Sequence, residues 1–205
     1  MDQFDERRIV TLPPPDQTGR MSFEDALSRR RSVREFRPDP LSLAEIGQLL
    51  WAAHGRVSTG HRRTIPSAGA IYPLDVWLVA GNVRELEPGL YRYDSDGHAL
   101  ACAWRGDCRA ELLAVALNQD MLLCAPATIV IAADVKRTAM KYGRRAARYV
   151  DMEAGHAGQN VYLQCAARNL GTVAVGAFED EGVKRVLRLP DALTPLYLFP
   201  VGRIA

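Results

Sequence analysis

A hairpin set among helices limits the fold of this chain more than any other feature. Tyr91-Arg92-Tyr93 and residues 98–104 have alternating faces on either side of Asp94-Ser95-Asp96-Gly97, a turn sequence that folds the chain straight back on itself. Its surroundings read differently. Ser42 with Glu45 has the spacing of a capping box, Ile46, Leu49, Leu50 and Ala53 then recur at helical spacing, and Gly55 closes the run. Further helices are predicted over residues 107–117 and 179–187, and strands over 74–80, 128–133, 172–175 and 195–201. The hairpin breaks strict βαβ alternation, so the expectation is an α+β layer fold, not a doubly wound one.

Residues 1–20, with Pro13-Pro14-Pro15, read as an extended N-terminal arm, and residues 21–205 as a single domain. Ser22 with Asp25 resembles a capping box opening a short helix. At 205 residues, 48% hydrophobic and 24% charged, the chain can bury a full core without disulfides. A net charge of +2 gives no global field toward nucleic acid or a membrane surface. The apolar run 121–133 is broken by Pro126 and too short to span a bilayer, so neither partner is expected. Cys102, Cys108, Cys124 and Cys165 lack any zinc spacing and read as reduced core thiols of a cytoplasmic protein.

The longest helix is predicted over residues 147–170, with Gly171 at its C-terminal end. It carries Ala146, Ala147, Ala154, Gly155, Ala157, Gly158, Ala166 and Ala167 in or beside it. So many small residues let a second helix approach closely, either within the subunit or, the preferred reading, at a homodimer seam. Glu153 and His156 lie at i, i+3, but a di-metal site needs a second Glu-x-x-His, which is absent, so no metal is expected.

Two short segments point to a ligand. Arg30-Arg31-Ser32-Val33-Arg34-Glu35-Phe36 packs three guanidinium groups and a hydroxyl into five residues, and arginine binds phosphate bidentately at any working pH. In an extended segment residues 30, 32 and 34 share one side, with Phe36 and Pro38 as anchors. Pro66-Ser67-Ala68-Gly69-Ala70-Ile71-Tyr72-Pro73 is a proline-bracketed loop of mainly small residues past which a planar ligand could meet backbone. It has neither the GxGxxG spacing nor a P-loop pattern.

These segments, with Pro88-Gly89-Leu90-Tyr91-Arg92-Tyr93, Lys141-Tyr142-Gly143-Arg144, Glu153-Ala154-Gly155-His156, Gly176-Ala177-Phe178 and Pro200-Val201-Gly202, resemble in order the nitroreductase-like flavoproteins. The set is most similar to their SagB-type dehydrogenase branch, which includes azoline oxidases. The resemblance implies a central, mainly antiparallel sheet flanked by helices, with the long small-residue helix at a dimer interface. It implies non-covalent FMN between two subunits. Arg30, Arg31, Ser32 and Arg34 would contact its phosphate, ribityl chain and pyrimidine edge. Pro66, Ser67, Ala68 and Gly69 would pass the flavin from the other subunit. Gly176 and Ala177 would lie by N5, and Gly202 and Arg203 fall where C-terminal phosphate contacts occur.

The same resemblance makes Lys141 and Tyr142 candidates for handling the substrate proton. A lysine serves as a base only where burial and neighbouring cations lower its pKa, and Arg144, Arg145 and Arg148 are the candidate cations. The implied function is hydride transfer at flavin N5 by a SagB-type dehydrogenase acting on a small-molecule or peptide-derived substrate. Alternatives are a nitroreductase or quinone reductase with NAD(P)H as donor, and a non-catalytic protein that sequesters flavin or senses redox state.

Overall fold

The computed structural model describes residues 9–57 and 62–205. Its strands are β1 (Ile9–Thr11), β2 (Leu74–Ala80), β3 (Gly89–Asp94), β4 (Ala99–Arg105), β5 (Ala127–Ala133), β6 (Leu170–Thr172) and β7 (Thr194–Arg203). They form one sheet in the order β1-β4-β3-β2-β5-β7-β6, and every ladder is antiparallel. The hairpin of β3 and β4 is present, with Asp94 opposite Ala99. The α+β expectation and the antiparallel sheet both hold.

Helices cover both faces. They are α1 (Phe23–Arg29), α2 (Leu43–His54), α3 (Arg109–Val115), α4 (Met121–Cys124), α5 (Val135–Tyr142), α6 (Ala146–Ala167) and α7 (Asp180–Val186). Side chains alternate across each strand, so Leu74, Val76 and Leu78 of β2 pack with α2 and α6, while Trp77 and Val79 pack with α3, α4 and α7. Both predicted N-caps form. Ser22 accepts the Asp25 N–H, and Ser42 with Glu45 makes a complete capping box. Among the described residues, no helix is long and apolar enough to cross a membrane.

Several expectations need correction. Residues 1–8 of the expected arm lie outside the described residues, and its described part joins the sheet. Ile9–Thr11 pairs with β4 as an edge strand, and His98 ties the arm down through the Leu12 N–H at 3.1 Å and the Pro13 carbonyl at 3.0 Å. The strand expected at 172–175 is shifted. Asn169, at φ 54°, makes the turn after α6 in place of Gly171, so Leu170 already pairs with Arg203. Beyond Thr172 the Ala174 N–H leaves the ladder for the Tyr162 hydroxyl, and only Val175 returns, bridging Leu198. Cys124 is exposed at the end of α4, whereas the other three cysteines are buried.

The small residues of α6 serve two purposes. Gly158 is internal, because a Cβ there would stand 2.6 Å from the Phe199 ring, and Ala154 and Ala157 are likewise buried. Gly155 has nothing within 4 Å of its would-be Cβ and sits on an exposed stripe with Met152, His156 and Gln159.

Candidate functional site

The arginine segment is stitched along one end of the sheet. Ser32 bridges Thr172 of β6 in parallel, and the Val33 N–H donates to the Thr172 carbonyl at 2.8 Å. Phe36 bridges Ile204, and the Arg37 N–H donates to the Arg203 carbonyl at 3.0 Å. Val33 packs on Gly171 and Phe36 on Gly202, where a Cβ would come within 3.0 Å of the ring. Burying Val33 turns Ser32 and Arg34 to the opposite side, and Arg31, Ser32 and Arg34 are all exposed. Arg31 and Arg34 have no ion-pair partner among the described residues, while the Arg30 guanidinium lies 5.3 Å from the Tyr162 ring centroid. The Tyr162 hydroxyl accepts the Ala174 N–H at 2.8 Å and lies 2.9 Å from Ser32 Oγ, linking this cluster to the strand that leads to Gly176.

Gly202 and Arg203 are brought to the same place, though Arg203 is engaged within the protomer. Its Nη2 donates to Glu45 at 3.0 and 3.2 Å, and the same carboxylate accepts the Ser42 N–H at 2.8 Å. Partial burial opposes ionisation of Glu45, but the bonds from Ser42 and the charge of Arg203 still hold its pKa below the ordinary value. Gly202 is required by the close approach of Phe36. Gly176 and Ala177 are exposed, and Gln119 Nε2 donates to the Ala177 carbonyl at 2.9 Å.

The loop at residues 66–72 is the most strained stretch near the site. Gly69, Ala70 and Tyr72 have φ of 64°, 54° and 51°, a left-handed conformation costing non-glycine residues about 1–2 kcal/mol each. Ser67 holds the loop in shape. Its carbonyl accepts the Ala70 N–H at 3.1 Å and its Oγ accepts the Tyr72 N–H at 2.9 Å.

Lys141 and Tyr142, at the end of α5, converge on the same loop. A Cβ added to Gly69 would stand 2.8 Å from Lys141 Nζ and 2.9 Å from Tyr142 Oη. Only a glycine both reaches this backbone conformation and leaves room for the two polar ends. Tyr149 braces the Tyr142 ring edge-on at a centroid distance of 5.0 Å. Lys141 is exposed and Tyr142 half-buried, so one protomer does not itself supply the burial expected of a lysine base.

Glu153, weighed from the sequence only as a metal spacing with His156, lies beside this loop instead. It is 3% exposed, and its Oε1 has no hydrogen-bond partner. Burial pushes its pKa up to about 7, partly offset by a hydrogen bond from Ser67. The signal lay in the helix periodicity, since Glu153 falls on the buried stripe of Val150, Ala154 and Ala157.

The predicted residues therefore form two clusters. One holds residues 30–34, Gly202 and Arg203, reached from Gly176 through Ala174 and Tyr162. The other holds Ser67, Gly69, Lys141 and Tyr142 over Glu153. Tyr162 and Glu153 are nine residues apart on α6, which separates the clusters by about 14 Å along the helix. Pro66 and Ala68 flank the second cluster without a hydrogen bond of their own to it among the described residues.

Comparison with known proteins agrees with this architecture. The Nitroreductase family model matches residues 27–203. The nitroreductase-like protein MJ1384 of Methanocaldococcus jannaschii is 42% identical over 194 residues, 95% of this chain and 96% of its own length. The trifolitoxin operon protein TfxC of Rhizobium leguminosarum bv. trifolii is 27% identical over 194 residues, 87% of this chain and 54% of TfxC. The crystal structure of a nitroreductase-like protein from Ralstonia eutropha JMP134 superposes with a TM-score of 0.86 at 32% identity, covering 97% of this chain and 90% of that one.

Proposed function

The chain belongs to the nitroreductase family, and on that premise we propose an FMN-dependent oxidoreductase most like the SagB-type dehydrogenases. The observation that carries this reading is the convergence of Lys141 Nζ and Tyr142 Oη on Gly69. The residues fit FMN. Arg31 and Arg34 point outward without an ion-pair partner among the described residues, beside Ser32, as a phosphate cradle requires. The exposed backbone at Gly176 and Ala177 leaves room for a flat ring to approach main chain. When bound, FMN supplies two-electron hydride chemistry at N5.

The chain's own residues do the rest. Arg30, Arg31, Ser32 and Arg34 would hold the phosphate, ribityl chain and pyrimidine edge, with Gly202 and Arg203 alongside. Residues 66–69 would close over the ring from a second subunit. The 14 Å gap between the clusters supports that division, since each cluster then serves a different site of a homodimer. The exposed stripe of α6 at Met152, Gly155 and His156 is the face available for its seam. Oxidation of an azoline to an azole releases a hydride and a proton. Lys141 Nζ takes the proton, and Tyr142 is oriented beside it by Tyr149.

The similarity to MJ1384 favours a second reading, reduction of nitroaromatics or quinones with NAD(P)H. Lys141→Ala combined with Tyr142→Phe separates the two. The dehydrogenase reading predicts loss of azoline oxidation with FMN retained. Unchanged azoline oxidation would overturn it, and a yellow protein that turns over no donor at all would leave only flavin sequestration.

A further inference from the structure

A polar cleft of about 350 Å³ opens directly beside the Lys141 corner, and the roles assigned above leave it unused. Two elements of the corner continue into it. Tyr72, three residues beyond Gly69, lines the cleft, and so does Arg137, one helical turn before Lys141 on α5. His54, Arg63, Arg92 and Asp75 are among the other residues that line it.

The floor is built to hold positive charge in place. Asp75, 7% exposed, accepts from Arg92 Nε and Nη2 at 3.0 and 2.6 Å through Oδ1, and from Arg137 Nη2 at 2.8 Å through Oδ2. One buried carboxylate thus positions two guanidinium groups and is itself fully used. Arg63 lies 5.5 Å from the Tyr72 ring centroid, and its buried Nε has no hydrogen-bond partner. His54, 5% exposed, likewise has an unpartnered Nε2. Burial pushes the His54 pKa down to about 3, with Arg63 and Arg137 adding to the shift against the opposing charge of Asp75. The cleft's other acids, Asp94 and Asp96, are exposed at the rim, where Asp96 lies 3.5 Å from both Arg56 and Arg63 and water screens the pairs.

Resting on the flavin-site reading of the neighbouring corner, we infer that this cleft is a subsite for a carboxylate carried by the substrate, with Arg137 and Arg63 as its recognition residues. Arg137 offers Nη1, which meets no acceptor among the described residues, and Arg63 lines the cleft with Nη1 shared between the His54 carbonyl and Ser95 Oγ and Nη2 3.5 Å from Asp96. A carboxylate held there sets the reacting carbon of its own molecule toward Lys141, because Arg137 and Lys141 share one face of α5.

A probe pair that differs only in charge tests this. The FMN-loaded enzyme is assayed for nitroreduction of 4-nitrobenzoate and of its methyl ester. Binding of benzoate and benzamide is measured in parallel by saturation-transfer NMR. The acid is expected to show a KM at least about ten-fold below the ester, from charge-assisted hydrogen bonds, and benzoate alone to bind. Both preferences should collapse toward unity in Arg137→Gln and in Arg63→Gln, with the NMR readout independent of turnover. Equal KM values, or a preference that survives both substitutions, would overturn the inference. So would substitutions that change discrimination between NADPH and NADH instead, since the cleft would then serve the donor's phosphate. Missing FMN bands would defeat the flavin reading, whereas intact bands without acid preference defeat only this inference.

Discussion

The two clusters are built on opposite plans. At residues 30–34 the backbone is fixed by the sheet edge, and the side chains of Arg31, Ser32 and Arg34 are left in water. At Gly69 the side chains of Lys141 and Tyr142 are crowded against a strained loop, with a buried carboxyl beneath it. The first plan suits a charged group that needs affinity and tolerates side-chain freedom. The second suits a reacting centre, where position governs rate. Substitutions of equal size should therefore fail in different ways at the two ends.

The largest effect is expected at the crowded end. Gly69→Val places a branched side chain at φ 64° and within 3 Å of both polar ends, so kcat should fall about 100-fold or more while circular dichroism keeps its native shape. Arg31→Gln with Arg34→Gln should behave otherwise. Loss of charge-assisted contacts should weaken FMN binding by roughly 10- to 100-fold, measured by fluorescence titration, and excess FMN should recover turnover. If Gly69→Val is also rescued by excess FMN, the contrast between the clusters is lost.

Glu153 sharpens the comparison through pH. Its folded pKa of about 7 lies above the ordinary 4.5, so the folded state binds more protons than the unfolded state between those values. Its contribution is fully present below pH 4.5 and is lost as pH rises through 7. Glu153→Gln should flatten that slope and raise the melting temperature relative to wild type at pH 8 more than at pH 5. The smallest effect is expected from Ser42→Ala, which removes the cap that Glu45 completes and lowers stability by about 1 kcal/mol, or roughly 2–4 °C.

The same contrast explains what the sequence made legible. Local signals were readable, including the hairpin at residues 91–104 and the caps at Ser22 and Ser42. Features made by distant partners were not. Nothing local indicates that Ile9–Thr11 would take the free edge of β4, or that Arg203 would settle on Glu45 across the fold. Gly171 looked like a helix terminator, but Asn169 takes the left-handed turn and Gly171 is instead required by Val33. The meeting of Lys141 and Tyr142 with Gly69 joins residues far apart in sequence, and the motifs gave its ingredients without its geometry.

The central claim is that the arginine cluster and the Gly69 corner serve one FMN-dependent site. Titration of flavin-free protein with FMN, followed by visible absorbance, tests it most directly. The account predicts saturable binding that perturbs the flavin bands, weakened in Arg31→Gln with Arg34→Gln and spectrally altered in Gly69→Val. A flat titration, or binding indifferent to both clusters, would contradict it.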